Sequence, residues 1–492
     1  MNPIDRIRFG GIASGMDTEG IIKNLMRTEQ MKVDRQFQQK TILEWKRDDY
    51  RSVNNSLRTF REQNVFNLKL QGAFLAKKVS SSNEAILTAS AGPNTLEGSY
   101  SINVIQTAKA ASAQSSAKIT GEIGSGSFTI QGKDGEEAQA TINVNENDTV
   151  QIIAAKINEK SSQTGIKAIY DENSGRLFMM SKSTGQDNFI KIVSDDNGIL
   201  KNLNLYSDDT LPAEGKLLAT GANAQIKLNG GETLEFNSNQ INLLGLTMTI
   251  KQEGNATLTV GKDIDSVVDQ IKSFVEQYNK IMEDLGTKLG EKRYRDFAPL
   301  TDEQKADMKE KDIEKWEEKA RSGIFRADSL LSSIASNLRM TVGSAVETGS
   351  KYKTFSSIGI MTSPDWKDHG KLYIDEKKLR EALTDDLDGV AKIFNNESSD
   401  PKAAGIARKL DDMLKGQMES IASTAGRNVI GADESYLGKE ISRMNKSYEE
   451  MQKRLIRIEE NYWAKFTAME KAYQQMQNQS AWLAGQLGQM QR

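Results

Sequence analysis

The chain has 492 residues, a length that favours about three domains. Its 65 Lys and Arg nearly balance 68 Asp and Glu, which argues against a protein that works mainly by neutralising phosphates. With no cysteine and one histidine, His369, it cannot build a disulfide framework, a thiol nucleophile, a cysteine zinc site or a multi-imidazole metal centre. No stretch approaches the ~20 apolar residues of a membrane span, and Met1 to Thr18 lacks the apolar core of a secretory leader. The expectation is a soluble chain made in the cytosol that, if exported, uses a route that does not read a Sec-type leader.

Glycine and proline punctuate helices, and two windows lack both, Ile21 to Gln71 and Lys439 to Ala484. Each predicts a helix of roughly 70–75 Å. The C-terminal window carries a seam of Leu437, Ile441, Met444, Tyr448, Met451, Leu455, Ile458 and Tyr462 in alternating steps of four and three. Phe466, Met469, Tyr473 and Met476 continue it after an extra step of four, a stutter that locally unwinds a left-handed supercoil. Glu449 and Glu450 precede Lys453 and Arg454 by four, the favourable order on an outer face. In the N-terminal window Leu43, Tyr50, Val53, Leu57 and Phe60 keep phase, but Lys46 and Asn64 occupy seam positions. Ahead of them Ile21, Ile22, Leu25, Met26, Val33 and Phe37 form a looser stripe. Burying such stripes is worth about 1.5–3 kcal/mol per large side chain. They can pack together as an antiparallel stalk, against copies in neighbouring subunits, or as an ordinary helical hairpin. Seam tyrosines and methionines favour a surface that repacks between partners.

Between about Lys78 and Gly261 the texture changes to alternating apolar residues among Gly, Ser, Thr and Asn. Strands are predicted at Ser101–Val104, Ser127–Ile130, Thr141–Val144, Ile166–Tyr170, Leu177–Met180 and Phe189–Val193. Asp148 and Gln151 suggest a capping pair for a short helix through Ile152, Ile153 and Ile157, which Gly165 ends. Further strands follow at Ala224–Leu228, Leu246–Ile250 and Ala256–Val260. The helical pattern returns with Val267, Ile271, Phe274, Val275, Tyr278 and Ile281 on one stripe. The dense mixed charge of Asp302 to Arg321 reads as a solvated helix or mobile loop. Together these predict an α+β multidomain fold, with long terminal helices forming a coiled-coil stalk, a helical base domain and two nested β-rich domains.

Candidate chemistry is thin. The carboxylate pairs Asp48/Asp49, Asp385/Asp386, Asp411/Asp412 and Glu459/Glu460 are adjacent in sequence, and helix neighbours at i and i+1 do not face each other. Asp195-Asp196-Asn197-Gly198 lacks the ligand spacing of a calcium loop and reads as a turn. Gly10-Gly11-Ile12-Ala13-Ser14-Gly15 lacks the Gly-Lys-Ser/Thr ending of a P-loop, and His369 reads as a surface turn. Eleven Lys and Arg against six Asp and Glu from Ile21 to Gln71 come without a nucleic-acid-binding motif. The expectation is no catalysis, no cofactor, no metal site, no nucleic acid and no membrane insertion.

Phe9-Gly10-Gly11-Ile12-Ala13-Ser14-Gly15-Met16-Asp17-Thr18, followed by an apolar helix, resembles the opening of the bacterial flagellar filament-capping family, hook-associated protein 2. Gly10, Gly11, Ser14, Gly15, Asp17 and Thr18 carry that motif. Gly98 to Val104 looks like the family's first β-domain strand, and Asn147 through Ile192 is similar to a β/α unit recurring in flagellar axial proteins. Phe274 to Asn279, Ile358-Gly359-Ile360, Gly370 to Asp375 and the closing seam helix also fit, whereas Asp302 to Arg321 matches no motif and reads as an insertion.

The resemblance implies a structural protein exported unfolded through the flagellar channel, without a Sec-type signal, to the distal filament tip. There it would form a homo-oligomeric ring with terminal helices as legs and β domains as a plate. Exported flagellin would fold and insert beneath that plate without leaking. Implied partners are flagellin, further copies of the chain, the hook–filament junction proteins and a cytosolic export chaperone. The expected division is a flexible segment over 1–20, leg helices over 21–72 and an inner β domain over 73–115 with 220–262. An inserted β/α domain over 116–219, a helical base over 263–430 that shares part of 21–72, and a coiled-coil leg over 431–492 complete it. The implied assembly seam is Ile21, Leu25, Leu43, Tyr50, Val53, Leu57 and Phe60 with Ile441, Met444, Tyr448, Met451, Leu455, Ile458, Tyr462, Phe466 and Met469. Isolated monomers are expected to have frayed terminal helices that order on assembly. A hook–filament junction protein and a glycan-binding surface adhesin are the alternative readings.

Overall fold

The computed structural model describes residues 15–208, 211–427 and 433–490, with side chains as far as Gln486. The chain divides into two compact units, a helical one built from its two ends, up to Phe74 and from Val268, and a β-rich one, Leu75–Val267. Gly10, Gly11 and Ser14 of the opening motif lie outside the described residues. The Asp17 side chain accepts the Gly20 backbone N–H at 2.8 Å and so caps helix α1 (Thr18–Phe60). A Cβ at Gly20 would stand 2.2 Å from the Asp17 carboxylate as placed, so a side chain there would make the capping carboxylate shift. Gly15 has φ +70° and Thr18 is buried.

The rod does not stop at Phe60. Arg61–Val65 forms one π turn, closed by the Phe66 N–H donating to the Arg61 carbonyl, and α2 (Phe66–Lys69) follows in helical geometry. The apolar pattern explains the wide turn. The three-four steps of Tyr50, Val53, Leu57 and Phe60 would next land on Asn64 and Asn67, whereas the apolar side chains sit one residue later, at Val65 and Leu68. A π turn absorbs one extra residue. It brings Val65 and Leu68 into the core and leaves Asn67 exposed.

In the β-rich unit, a five-stranded sheet runs in the order β1 (Lys77–Ser81), β15 (Gly254–Lys262), β3 (Gly98–Gln106), β11 (Ala224–Leu228) and β12 (Thr233–Phe236). A three-stranded sheet of β13 (Gln240–Leu243), β14 (Leu246–Ile250) and β2 (Leu87–Ala91) shares its core, centred on Leu87, Ile102, Ile226, Met248 and Leu258. A second core holds Phe128, Ile130, Ile153, Ile157, Leu177, Ile190 and Ile192. Around it lie β10 (Lys216–Thr220), β9 (Phe189–Asp195), β5 (Gly126–Gln131) and β6 (Gln139–Val144) in one sheet, and β4 (Ala110–Gln114), β8 (Arg176–Thr184) and β7 (Ile166–Asp171) in another. Helices α3 (Val150–Glu159), α4 (Ser161–Thr164) and α5 (Ile199–Asn202) complete it. Two expectations shift. β4 pairs with β8, so the inserted part already begins before residue 115. The cap of α3 is Thr149, while Asp148 accepts the Asn145 N–H and pairs with Lys156. Asp195 to Gly198 is a turn, as read, with Asn197 and Gly198 at positive φ. At Gly132 the backbone comes so close to the Thr164 carbonyl that a Cβ would lie 1.9 Å from it.

The chain returns through α6 (Ile264–Gly290), whose expected stripe from Val267 to Ile281 is buried throughout. Then come α7 (Asp302–Ala306), α8 (Glu310–Arg321), α9 (Ser329–Val342), the hairpin β16 (Ile360–Thr362) and β17 (Leu372–Ile374), α10 (Glu376–Asp385), α11 (Leu387–Asn395), α12 (Ile406–Ala425) and α13 (Tyr436–Met490). An aromatic cluster ties these to the end of α1: Phe274 lies 5.3 Å from Phe60 and 6.1 Å from Phe355, and Phe394 lies 5.6 Å from Phe74. Beside it Asp411 of α12, only 1% exposed, is held by Arg61 at 2.6 Å, Lys69 at 2.7 Å and Lys415 at 3.1 Å. Burial alone would raise its pKa, but the hydrogen bonds from Lys69 and Lys415 outweigh that and hold the carboxyl below the usual aspartate range.

Deleting Asn64 restores the three-four spacing without a π turn, so the variant is expected to fold and to lose only the Asn64–Ser273 hydrogen bond, about 1 kcal/mol in a urea titration. Deleting exposed Ser56 instead shifts Leu57 and Phe60 out of phase even if the π turn closes up to keep Val65 and Leu68 in place, and is expected to cost about 3 kcal/mol or more. Asp411→Asn strands three cations and is expected to cost about 3 kcal/mol in the same assay. Because the folded carboxyl titrates below the ~3.9 of an unfolded aspartate, its contribution is full at neutral pH and is lost as the pH falls below about 4. The wild-type and Asp411→Asn stability curves are therefore expected to converge in acid.

Candidate assembly surface on the terminal helices

α1 and α13 lie side by side and antiparallel. Near the root of the pair, Arg51 donates to the Ala425 carbonyl at 2.8 Å and to Asp433 at 2.7 Å. Further out the Phe37 and Tyr448 rings meet at 5.9 Å, with the Lys40 ammonium 5.7 Å from both. Further still, the Glu29 carboxyl is held below its ordinary range by the hydrogen bond from Lys32, with Arg454 of α13 adding to the effect.

The expected seam residues divide into three environments. Tyr50, Val53, Leu57 and Phe60 are fully buried inside the helical unit, so they are core residues there and present no free surface. One rod passes through two surroundings, and periodicity alone does not mark the border. Leu43, Met444, Tyr448, Met451, Leu455, Ile458, Tyr462 and Phe466 are half-buried along the helix pair, and Ile441 is buried near its root. Ile21 and Leu25 are 38% and 43% exposed, and their neighbour Ile22 takes the inward position instead. Met469 is 40% exposed.

Lys46 and Asn64 are not weak points of the seam. Lys46 pairs with buried Asp328 at 2.9 Å, and the Asn64 amide donates to the Ser273 hydroxyl at 2.9 Å. Asp328 also accepts the Tyr50 hydroxyl at 2.7 Å. Burial opposes the ionised Asp328 carboxyl, yet Tyr50 and Lys46 together hold it below the usual range, while burial and Asp328 push the Tyr50 hydroxyl well up. None of these partners is near in sequence, so periodicity carries no signal for them.

With Phe37 opposite Tyr448 and α1 beginning at Thr18, the pairing runs out near Phe466. Beyond that point α13 continues to Met490, roughly 35 Å at 1.5 Å per residue. Every side chain from Lys471 to Gln486 is exposed. Tyr473, Met476, Trp482 and Leu483 are among them, with Met476 at 59% and Trp482 at 62%. Trp482 and Leu483 escaped the seam because Ser480 interrupts its phase, although a further step of three reaches Leu483. Among the described residues no group of His, Asp or Glu is placed to hold a metal ion, and no helix is long and apolar enough to cross a membrane. The arrangement offers burial and stacking to a partner.

Amide exchange in the dilute chain is expected to follow this gradient: slowest at Tyr50–Phe60, intermediate at Ile22–Phe37 and fastest beyond Thr467. Uniform fraying from Ile21 onward would contradict it.

Comparison with known proteins fits this architecture. Family models match for the flagellar hook-associated protein 2 N-terminus over residues 14–111, the flagellin hook IN motif over 127–183 and the flagellar hook-associated protein 2 C-terminus over 221–478. A flagellar hook-associated protein 2 from Halalkalibacterium halodurans is 28% identical over 96% of this chain and 98% of its own length. One from Thermotoga maritima is 28% identical over 83% of this chain and 62% of its own length. The crystal structure of the D1-D2-D3 domains of the flagellar cap protein FliD from Escherichia coli shares the fold, with a TM-score of 0.54 and 23% identity over 81% of this chain and 99% of that one. The C-terminal model alone spans more than half of the residues, and the chain therefore belongs to the flagellar hook-associated protein 2 family, a family of structural flagellar cap proteins.

Proposed function

We propose that this chain caps the distal tip of the flagellar filament as a homo-oligomeric ring that promotes folding and insertion of exported flagellin and stops its leakage. The observation that carries the reading is the outer third of α13, an apolar-bearing helix with every side chain in solvent from Lys471 to Gln486. An unpartnered rod of this kind gains about 1.5–3 kcal/mol for each large side chain it buries. Flagellin and neighbouring copies are the partners that supply such burial at a tip. A ring of identical subunits joins two different surfaces head to tail, and the helix pair and the β-rich unit furnish separate surfaces for it.

In this reading the leg comprises α1 up to about Trp45 together with α13. The base is the remainder of the helical unit, and the two cores of the β-rich unit form the inner and inserted parts of the plate. The seam residues that serve assembly are then Ile21, Leu25 and Leu43 with Met444 through Met469, to which Trp482 and Leu483 are added. The chain reaches the tip through the flagellar export channel, escorted in the cytosol by a chaperone, and stands beyond the hook–filament junction proteins. It performs no catalysis.

The test is a strain lacking the protein, complemented with the double variant Trp482→Ser, Leu483→Ser. Both side chains are exposed, so stability of the purified variant is expected to change by less than about 0.5 kcal/mol. Filaments are expected to be absent or stunted, with flagellin in the medium. Full-length filaments and clean medium from that strain would overturn the proposal.

A further inference from the structure

The segment between α6 and α9 is the part of the chain that the family resemblance left unexplained. Its charge density predicts a solvated helix or a mobile loop; the segment is helical and largely wet, yet it is fixed in place. Its base is locked. The Arg293 guanidinium donates to the carbonyls of Ala320 and Ser322 at 2.6 and 3.1 Å, the Ser322 hydroxyl donates to the Lys292 carbonyl at 2.9 Å, and Glu291 accepts the Gly323 N–H at 2.8 Å. Gly323 has φ +69°, and a Cβ there would lie 2.7 Å from the Arg293 backbone, so only glycine closes the loop this tightly. Its interior is locked as well. The Trp316 ring lies 4.5 Å from that of Phe297, its indole N–H donates to the Ala298 carbonyl at 2.8 Å, and the Lys319 ammonium stands 4.7 Å from the Phe297 ring.

What this closed loop touches is specific. Arg321, the last residue of α8, grips Asp49 of α1 with two hydrogen bonds of 2.9 and 3.1 Å, and Lys288 of α6 reaches the same carboxylate at 3.3 Å. The Tyr448 hydroxyl of α13 is pushed up by burial, with the negative charges of Asp302, Asp34 and Glu303 adding to the effect. The loop therefore holds α1 at Asp49, next to buried Tyr50, where that helix leaves the helical core. Phe297 and Trp316 pack on each other inside the loop, and the Arg321–Asp49 pair is its charged hold on α1.

We infer that residues 291–323 form a strap that fixes the take-off direction of the α1–α13 pair from the helical unit, with the Arg321–Asp49 pair as its releasable clasp. The bidentate geometry is directional, which an apolar contact is not. Its strength is tunable, because a half-exposed ion pair weakens as salt rises. The inference deepens the capping reading, in which legs must hold and yet shift. Its test is made on the purified full chain and does not depend on that reading.

Since the protein has no cysteine, Ser420→Cys on α12 and Thr467→Cys on α13 can carry two spin labels selectively. Pulsed dipolar spectroscopy then reads the distance between body and leg. The expected result is a narrow distribution in the otherwise wild-type chain that widens about twofold with Arg321→Ala, with circular dichroism unchanged and partial recovery in Arg321→Lys. Trp316→Ala, which loosens the strap and leaves α1 untouched, is expected to widen it as well, and so is 1 M salt. A distribution equally narrow in both variants and in high salt would overturn the inference. So would a widening that occurs only where helical content is lost.

Discussion

The structure depends on keeping one apolar seam in phase along a rod that passes through two surroundings. From Thr18 to Lys69 the backbone is helical without a break, yet the inner part lies in a packed core and the outer part lies against a single helix. An apolar pattern that slips by one residue would normally end such a rod or expose its last turns. Here the π turn at Arg61–Val65 absorbs the slip, so Val65 and Leu68 are buried as fully as Leu57 and Phe60. The aromatic cluster around Phe274 and the buried charge of Asp411 can then close on a surface that stays continuous.

Much of this was legible in the residues. Windows free of glycine and proline marked both long helices, and alternation marked β3, β5 to β9, β11, β14 and β15. The pattern does not mark β1, β2, β4, β10, β12, β13, β16 or β17; in β12 and β13, for example, four residues with Leu234 and Phe236 or Ile241 and Leu243 are too short a run to read. The cap of α3 falls one residue later than the sequence suggests, because Asp148 and Thr149 are both good capping side chains and Asp148 is taken by Asn145 and Lys156.

Long-range polar partners were the part beyond reach. Lys46 and Asn64 looked like flaws in a seam, and each turned out to be an anchor whose partner, Asp328 or Ser273, lies more than two hundred positions away. Asp411 looked like half of an idle acidic pair. Its meaning appears only when α2 and the π turn deliver Lys69 and Arg61 to it. Charge density alone likewise suggested a mobile segment at 302–321, whereas two residues of opposite character, Trp316 and Arg321, give it a fixed place. Pattern reveals what an element buries; it does not reveal whom a buried charge will meet.

The length of α13 has a mechanical consequence. Its 55 residues make a lever of about 80 Å, seated at one end by Arg51, Ile441 and Leu437. On such an arm a pivot of about ten degrees sweeps the far end through roughly 14 Å, more than the width of a helix. Displacements too small to disturb the packing at the fulcrum thus become shifts wider than a helix at Trp482 and Leu483, and a modest force at the distal end exerts a large torque on the base.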